Sequence, residues 1–170
     1  KFKALNNFSS PEELSDMNSE IRQAVTQGAN PCDWLELGLF VSKGLDNSID
    51  EESAITQSIE CFQKVLELDQ GNVFAMTELA KVYFRRNLIA EVEQTYKAIL
   101  EKDPESIYVH TKLSELYLAQ QRYDEALSEI RQLLELQPNN GDYHMKLIDI
   151  YKEMYGKTED KEKQLAALLK

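Results

Sequence analysis

Residues 73–106 read VFAMTELAKVYFRRNLIAEVEQTYKAILEKDPES and residues 107–140 read IYVHTKLSELYLAQQRYDEALSEIRQLLELQPNN, two adjoining blocks of 34 residues. Laid over each other, Leu79 falls on Leu113, Tyr83 on Tyr117, Ile99 on Leu133, Leu100 on Leu134 and Pro104 on Pro138. A fixed period of this length marks stacked supersecondary units, each of which needs its neighbour to bury an apolar face. Within each block the apolar residues recur at helical spacing, and a proline closes it by biasing the preceding residue away from helix.

The beat extends in both directions. Phe62, Val65 and Leu66 stand 34 residues before Tyr96, Ile99 and Leu100, whereas Trp34 stands 42 before its counterpart Met76. Eight extra residues therefore sit around Gly44 to Ser53. Ser48 with Glu51 forms a capping-box pattern, which predicts a turn at Gly44 to Asn47 and a long helix from about Ile49. This insertion reads as an acidic protruding turn, or as a docking feature on one face. After residue 140, Leu147 and Tyr151 keep the register, and Leu168 lands 34 after Leu134. Ile148, Asp160 and Gln164 then break the pattern, and Thr158-Glu159-Asp160 supplies a final helix start. A last repeat that turns polar suits the end of a stack.

Ahead of the repeats, Ser10-Pro11-Glu12-Glu13 has the form of a helix start, and Leu14, Met17, Ile21, Ala24 and Val25 make an apolar stripe that Gly28 ends. This helix is expected to cap the open end of the stack; the alternative is that it occupies the binding groove. Asn30-Pro31 opens the next helix. Small residues at Gly38, Ala80 and Ser114 let helices approach closely, and Tyr83, Tyr117 and Tyr151 fill the space between units.

These features resemble the tetratricopeptide repeat family, whose opening signature W-x₂-L-G-x₂-Y is matched by Trp34, Leu37, Gly38 and Val41, with Val in the Tyr slot. The resemblance implies an all-α fold, a right-handed α-solenoid of antiparallel helix pairs with an N-terminal capping helix. The expected organisation is one domain: lead-in and cap 1–29, repeat one with its insertion 30–72, repeat two 73–106, repeat three 107–140, and a terminal pair 141–170. The resemblance further implies that first helices line a concave groove gripping a peptide or amphipathic helix. Mapped here, the partner-binding slots hold Leu35 and Leu39; Phe74, Thr77, Glu78, Lys81 and Phe84; Tyr108, Thr111, Lys112, Glu115 and Leu118; and Met145, Lys146 and Asp149. Mixed aromatic, aliphatic and charged residues suit a segment with apolar anchors. Phe74 and Phe84 could instead pack between repeats.

One subtype is testable by residue. Repeats that clamp the acidic tails of heat-shock chaperones use Lys, Asn, Asn, Lys and Arg, and those slots here hold Leu35, Leu39, Glu78, Tyr108 and Lys112. One base remains and Glu78 repels a carboxylate, so such tails are not expected partners. The expected function is a scaffold for a protein or peptide partner. The alternatives are a self-associating structural protein, and a periplasmic assembly factor similar to those of cytochrome c biogenesis, suggested by an amphipathic helix followed by Pro31, Trp34, Leu37 and Gly38.

Composition narrows the classes further. A net charge of −11 opposes nucleic-acid binding, which needs clustered Lys and Arg. Residues 1–70 carry 13 acids against 5 bases, an acidic exterior or an attraction for a basic partner near repeat one. No apolar run approaches the ~18 residues of a membrane span, so no membrane contact is expected from this segment. The chain begins without Met, which leaves room for an upstream targeting or anchoring segment. A cytoplasmic protein and the periplasmic part of an anchored one are both compatible, the former favoured.

No enzymatic chemistry is expected. Cys32 and Cys61 form no CxxC pair and no disulfide framework. Cys61 reads as a small buried hydrophobe; Cys32 sits near a helix start with no base beside it. The two histidines, His110 and His144, are 34 apart in the slot of Trp34 and Met76, which makes them packing residues rather than metal ligands. No phosphate loop, HExxH, GxSxG or kinase signature is present, so no cofactor and no metal are expected.

Overall fold

The computed structural model describes residues 30–44 and 49–155, together with helical positions 16, 19, 22–24 and 26 ahead of them. The expected helix start at Ser10, the cap at Gly28, most of the leading apolar stripe, Ser48 and the final helix from Thr158 lie outside the described residues. Contacts divide the chain into two compact units, residues 1–102 and 103–170. Among the described residues there is no strand.

In the first unit, α1 (Pro31–Ser42) and α2 (Glu51–Leu68) form one pair, and α3 (Val73–Arg85) and α4 (Ile89–Leu100) the next. Asn30 caps α1, accepting from the amides of Cys32 (2.8 Å) and Asp33 (3.2 Å), while the Asp33 carboxylate accepts from the Asn30 amide (3.0 Å). That reciprocal box with Pro31 at the first position satisfies donors that a helix start leaves orphaned. The second helix starts at Glu51, two residues later than the spacing predicts. Asp50 is its cap, accepting from the Ser53 amide at 2.9 Å and from its hydroxyl at 2.7 Å. Those hydrogen bonds hold the Asp50 carboxyl below its ordinary range.

Leu37, Phe40, Val41, Ala54 and Cys61 form one buried cluster; Leu35, Leu39, Phe62, Val65, Ala75, Leu79 and Val82 form another, joining α1 and α2 to α3. The close approach expected at Gly38 is present, because a Cβ there would stand 2.8 Å from Phe62 Cε1 and 3.1 Å from Cys61 Cβ. Arg85 and Arg86, at the end of α3, tie the pairs together from outside. Arg85 donates to the Ser42 carbonyl (2.6 Å) and lies 3.3 Å from Glu51; Arg86 donates to Thr56 (3.0 Å) and lies 3.6 Å from Glu52. Ahead of these helices, Arg22 donates to Gln57 on α2 at 3.1 Å.

The second unit repeats the plan with α5 (Ile107–Ala119), α6 (Tyr123–Leu136) and α7 (Gly141–Tyr155) around Val109, Leu113, Leu116, Ile130, Leu133 and Ile150. Ser114, in the small slot, is fully buried and bonds its hydroxyl to the Thr111 carbonyl at 2.8 Å. The tyrosine slot does more than fill space. Tyr83 hydroxyl accepts from Gln63 at 3.2 Å and Tyr151 hydroxyl from Arg131 at 3.0 Å, each from the second helix of the preceding pair. The turns within pairs contain left-handed residues, Asn87 (φ 57°) and Gln121 (φ 59°), themselves one period apart. Leu88 and Arg122 amides then close back on the Tyr83 (2.9 Å) and Tyr117 (2.8 Å) carbonyls.

Candidate functional site

The sequence places the partner-binding slots on one side of each first helix, and helical geometry makes that side continuous. At 3.6 residues per turn, Phe74, Thr77, Glu78, Lys81 and Phe84 of α3 share a sector of roughly 120°, and Phe74 and Phe84 stand ~15 Å apart along the axis. Phe74 is 50% exposed and Phe84 60%. They do not pack into the core, so the packing alternative for them is set aside. Between them Lys81 and Glu78 pair at 2.6 Å, and Thr77 spends its hydroxyl on the Val73 carbonyl at 2.8 Å.

The same sector on α5 carries Tyr108, Thr111, Lys112, Glu115 and Leu118. Tyr108 is 41% exposed, Leu118 is half-buried, and Thr111 bonds the Ile107 carbonyl at 2.8 Å. Lys112 pairs with Glu115 at 2.9 Å, which raises the lysine pKa chiefly through that hydrogen bond. On α7, Met145 is 55% exposed and Asp149 pairs with Lys152 at 3.4 Å. Lys146 crosses to Glu115 at 3.7 Å, so the faces of α5 and α7 are brought together in one patch.

Leu35 and Leu39 require a correction. They are only 7% and 5% exposed, packed with Phe62, Val65, Ala75, Leu79 and Val82, and belong to the core rather than to an accessible face. A signal for this was present. The slot of Leu39 holds Lys81, Glu115 and Asp149 in later repeats, and that of Leu35 holds Thr77, Thr111 and Met145. An aliphatic pair where other repeats are mostly polar points to burial. The bridging of Lys146 to Glu115 had no counterpart in the spacing, because it joins different helices.

Six large apolar side chains stay exposed among the described residues: Leu68, Phe74, Phe84, Ile107, Tyr108 and Met145. Four of the six lie in the expected slots, which sets these faces apart from the rest of the surface.

The histidines and Cys61 are committed to structure. His110 is buried; its Nε2 donates to the Pro104 carbonyl at 2.9 Å, and Nδ1 lies 2.6 Å from Glu129. His144 donates from Nε2 to the Pro138 carbonyl at 2.8 Å but stays exposed. Each histidine thus ties the preceding loop to its own helix, one period apart. Burial pushes the Cys61 thiol up to about 12, with Glu60 adding to the rise and Arg22 opposing it. Cys32 is exposed in the first turn of α1. Among the described residues no group of three His, Cys, Asp or Glu side chains is placed to hold a metal ion, and no helix is long and apolar enough to cross a membrane.

The sequence model of the tetratricopeptide repeat family matches residues 51–116 and 92–147, which together exceed half of the 170 residues. The chain belongs to the tetratricopeptide repeat family. Solved structures agree on the fold. MamA from Desulfovibrio magneticus RS-1 is 17% identical, with a TM-score of 0.64 over 94% of this chain and 81% of that one. YrrB, described as a TPR protein with an unusual peptide-binding site, is 17% identical, with a TM-score of 0.61 over 79% and 66%. The first TPR of Spaghetti (RPAP3), bound to the HSP90 peptide SRMEEVD, is 22% identical, with a TM-score of 0.52 over 70% and 96%. No curated protein matches the chain. The tetratricopeptide fold of helix pairs makes this chain an α-solenoid protein and an interaction scaffold, in a family whose members are in general not enzymes.

Proposed function

We propose that this protein holds a peptide or amphipathic helix of a partner protein on the first-helix faces of its repeats, and that it does so without catalysis. The observation that carries the reading is the placement of Phe74, Phe84, Tyr108 and Met145. Each is a large side chain left about half exposed. Exposed rings flanked by ion-paired lysines match the anchor-and-rim composition of protein interfaces. Two proteins similar in fold, YrrB and the RPAP3 repeat, are described with peptides or peptide sites, which agrees with this use of the fold. Heat-shock chaperone tails are not proposed as partners, because Leu35 and Leu39 are buried and Glu78 stands in a third clamp slot.

The organisation proposed is four repeats, 30–72, 73–106, 107–140 and 141–170, preceded by a lead-in and capping helix. The contact of Arg22 with Gln57, on the second helix of repeat one, supports a cap rather than a groove occupant.

The test is capture of partners from the native source by the intact chain and by Tyr108→Ala and Phe74→Ala variants. Loss of an interface anchor typically costs more than ~1 kcal/mol, so captured partner should fall by about fivefold or more with an unchanged melting temperature. Undiminished capture by both variants would place the interface elsewhere.

A further inference from the structure

Three first helices begin after capping positions one period apart, Asn72, Ser106 and Asn140, followed by Val73, Ile107 and Gly141. Two of these caps do the same work: Asn72 Oδ1 accepts from the Ala75 amide at 3.0 Å, and Asn140 Oδ1 from the Asp142 amide at 3.1 Å. Asn140 also donates from Nδ2 to Gln137 Oε1 at 3.0 Å. They differ in the residue that follows. Val73 is half-buried and carries a branched Cβ beside its backbone nitrogen, whereas Gly141 is exposed and a Cβ added there would meet nothing within 4 Å. Asn140–Gly141 is the single Asn–Gly step in the 170 residues.

We propose that Asn140–Gly141 is a self-modifying step, at which the asparagine carboxamide is converted to a carboxylate without an enzyme. The Gly141 nitrogen gives its proton to solvent base and attacks Cγ of Asn140. The Cγ–Nδ2 bond breaks, and that nitrogen leaves as ammonia, taking its proton from water. One water molecule then opens the cyclic imide at either carbonyl. Opening at one leaves aspartate at position 140; opening at the other leaves isoaspartate, whose main chain runs through the side-chain methylene. One water enters, one ammonia leaves, and nothing is oxidised or reduced.

The site favours each part of this. The leading amides of a helix have no acceptor within it, and among the described residues the Gly141 amide has none, so the attacking nitrogen is not tied up. The positive end of α7 stabilises the charge that develops on that nitrogen and on Oδ1, at which the Asp142 amide already points. The Asp142 carboxylate opposes that charge, but it is exposed to solvent, where salt screens it. What holds the side chain off the reaction path is two hydrogen bonds at a fraying helix end, and these open readily. The products then part in effect. Aspartate caps as well as asparagine, so α7 keeps its start, whereas the extra main-chain carbon of isoaspartate displaces the capping oxygen from the amides of α7. The start of the terminal repeat loosens with age in that fraction of molecules.

The test ages the intact chain for several weeks at pH 8 and physiological temperature, with mass spectrometry of the peptides that hold Asn140 and Asn72. Asn140 should convert about tenfold or more faster than Asn72, the ratio given by a barrier lower by about 1.4 kcal/mol. Gly141→Val, which the open space around Gly141 accommodates, should slow Asn140 to the rate of Asn72 without lowering the melting temperature. The fraction carrying isoaspartate, detected by enzymatic methylation of its carboxylate, should melt a few degrees lower, while the Asn140→Asp variant melts with the unaged protein. Equal rates at the two asparagines overturn the proposal, because the following residue would then not decide the reaction. Conversion of Asn140 only after unfolding in urea overturns it as well, because the cap would then guard the step. An isoaspartate fraction that melts with the unaged protein overturns the loosening of α7.

Discussion

At Gly38 two opposing effects can be weighed directly. Alanine in a helix interior gains roughly 0.5–1 kcal/mol over glycine from backbone entropy. Here the new methyl would meet the Phe62 ring at 2.8 Å, and Phe62 is fully buried, so the ring cannot swing away. Overpacking of such a core costs about 1–3 kcal/mol, so Gly38→Ala should destabilise by ~1–2 kcal/mol in urea titrations. A stabilised variant would show the α1–α2 seam to be looser than its contacts indicate. The cysteines make a second comparison. Cys61 is buried with its thiol pushed up to about 12, whereas Cys32 is exposed. Because the thiolate is the reactive form, iodoacetamide at pH 8 should label one thiol per native chain, at Cys32, and both after denaturation. Rapid labelling of Cys61 would mean that the first pair opens locally.

Helices and their starts were largely legible, while the turns between them were not. The 34-residue beat located the first and second helices of the central repeats, and Asn30 and Asn72 cap as such residues should, Asn72 accepting from the Ala75 amide at 3.0 Å. The reason is local: caps and apolar periodicity act through neighbours in sequence. The start of α2 slipped because both Ser48 and Asp50 are capping types, and Asp50 is the one that caps it through Ser53. Leu35 and Leu39 were misplaced for a related reason, since spacing tells which side a residue faces but not what covers that side. The turns at Asn87 and Gln121 carry no glycine; Asn87 is a type that tolerates a left-handed conformation, but nothing in the residue type announces one at Gln121. That conformation costs an L-residue about 1–2 kcal/mol, less for Asn, and glycine relieves it at some cost in unfolded-state entropy. Gln121→Gly should therefore raise stability by ~0.5–1 kcal/mol in urea titrations with unchanged m, and Asn87→Gly by less. Destabilisation at position 121 would show that the glutamine side chain holds the turn in a way the backbone does not reveal.

The whole molecule is acidic in both units, −7 over residues 1–102 and −4 over 103–170. Its described lysine and arginine ion pairs have at least one exposed partner and are mostly local, such as Lys64–Glu67, Lys97–Glu93 and Lys112–Glu115. Pairs of that kind contribute only about 0–0.5 kcal/mol each. Repulsion among the excess acids acts over longer distances, and it is therefore the larger loser when the screening length falls from ~30 Å at about 0.01 M salt to ~8 Å at about 0.15 M. Sodium chloride should then raise the melting temperature by a few degrees rather than lower it. A fall would mean that the clasp of Arg85 and Arg86 on Glu51 and Glu52 outweighs the repulsion, and charge reversal at Arg86 would locate it. The same imbalance bears on function. A net charge of −11 favours a basic partner over an acidic one at long range, so association with a basic peptide should slow as salt rises.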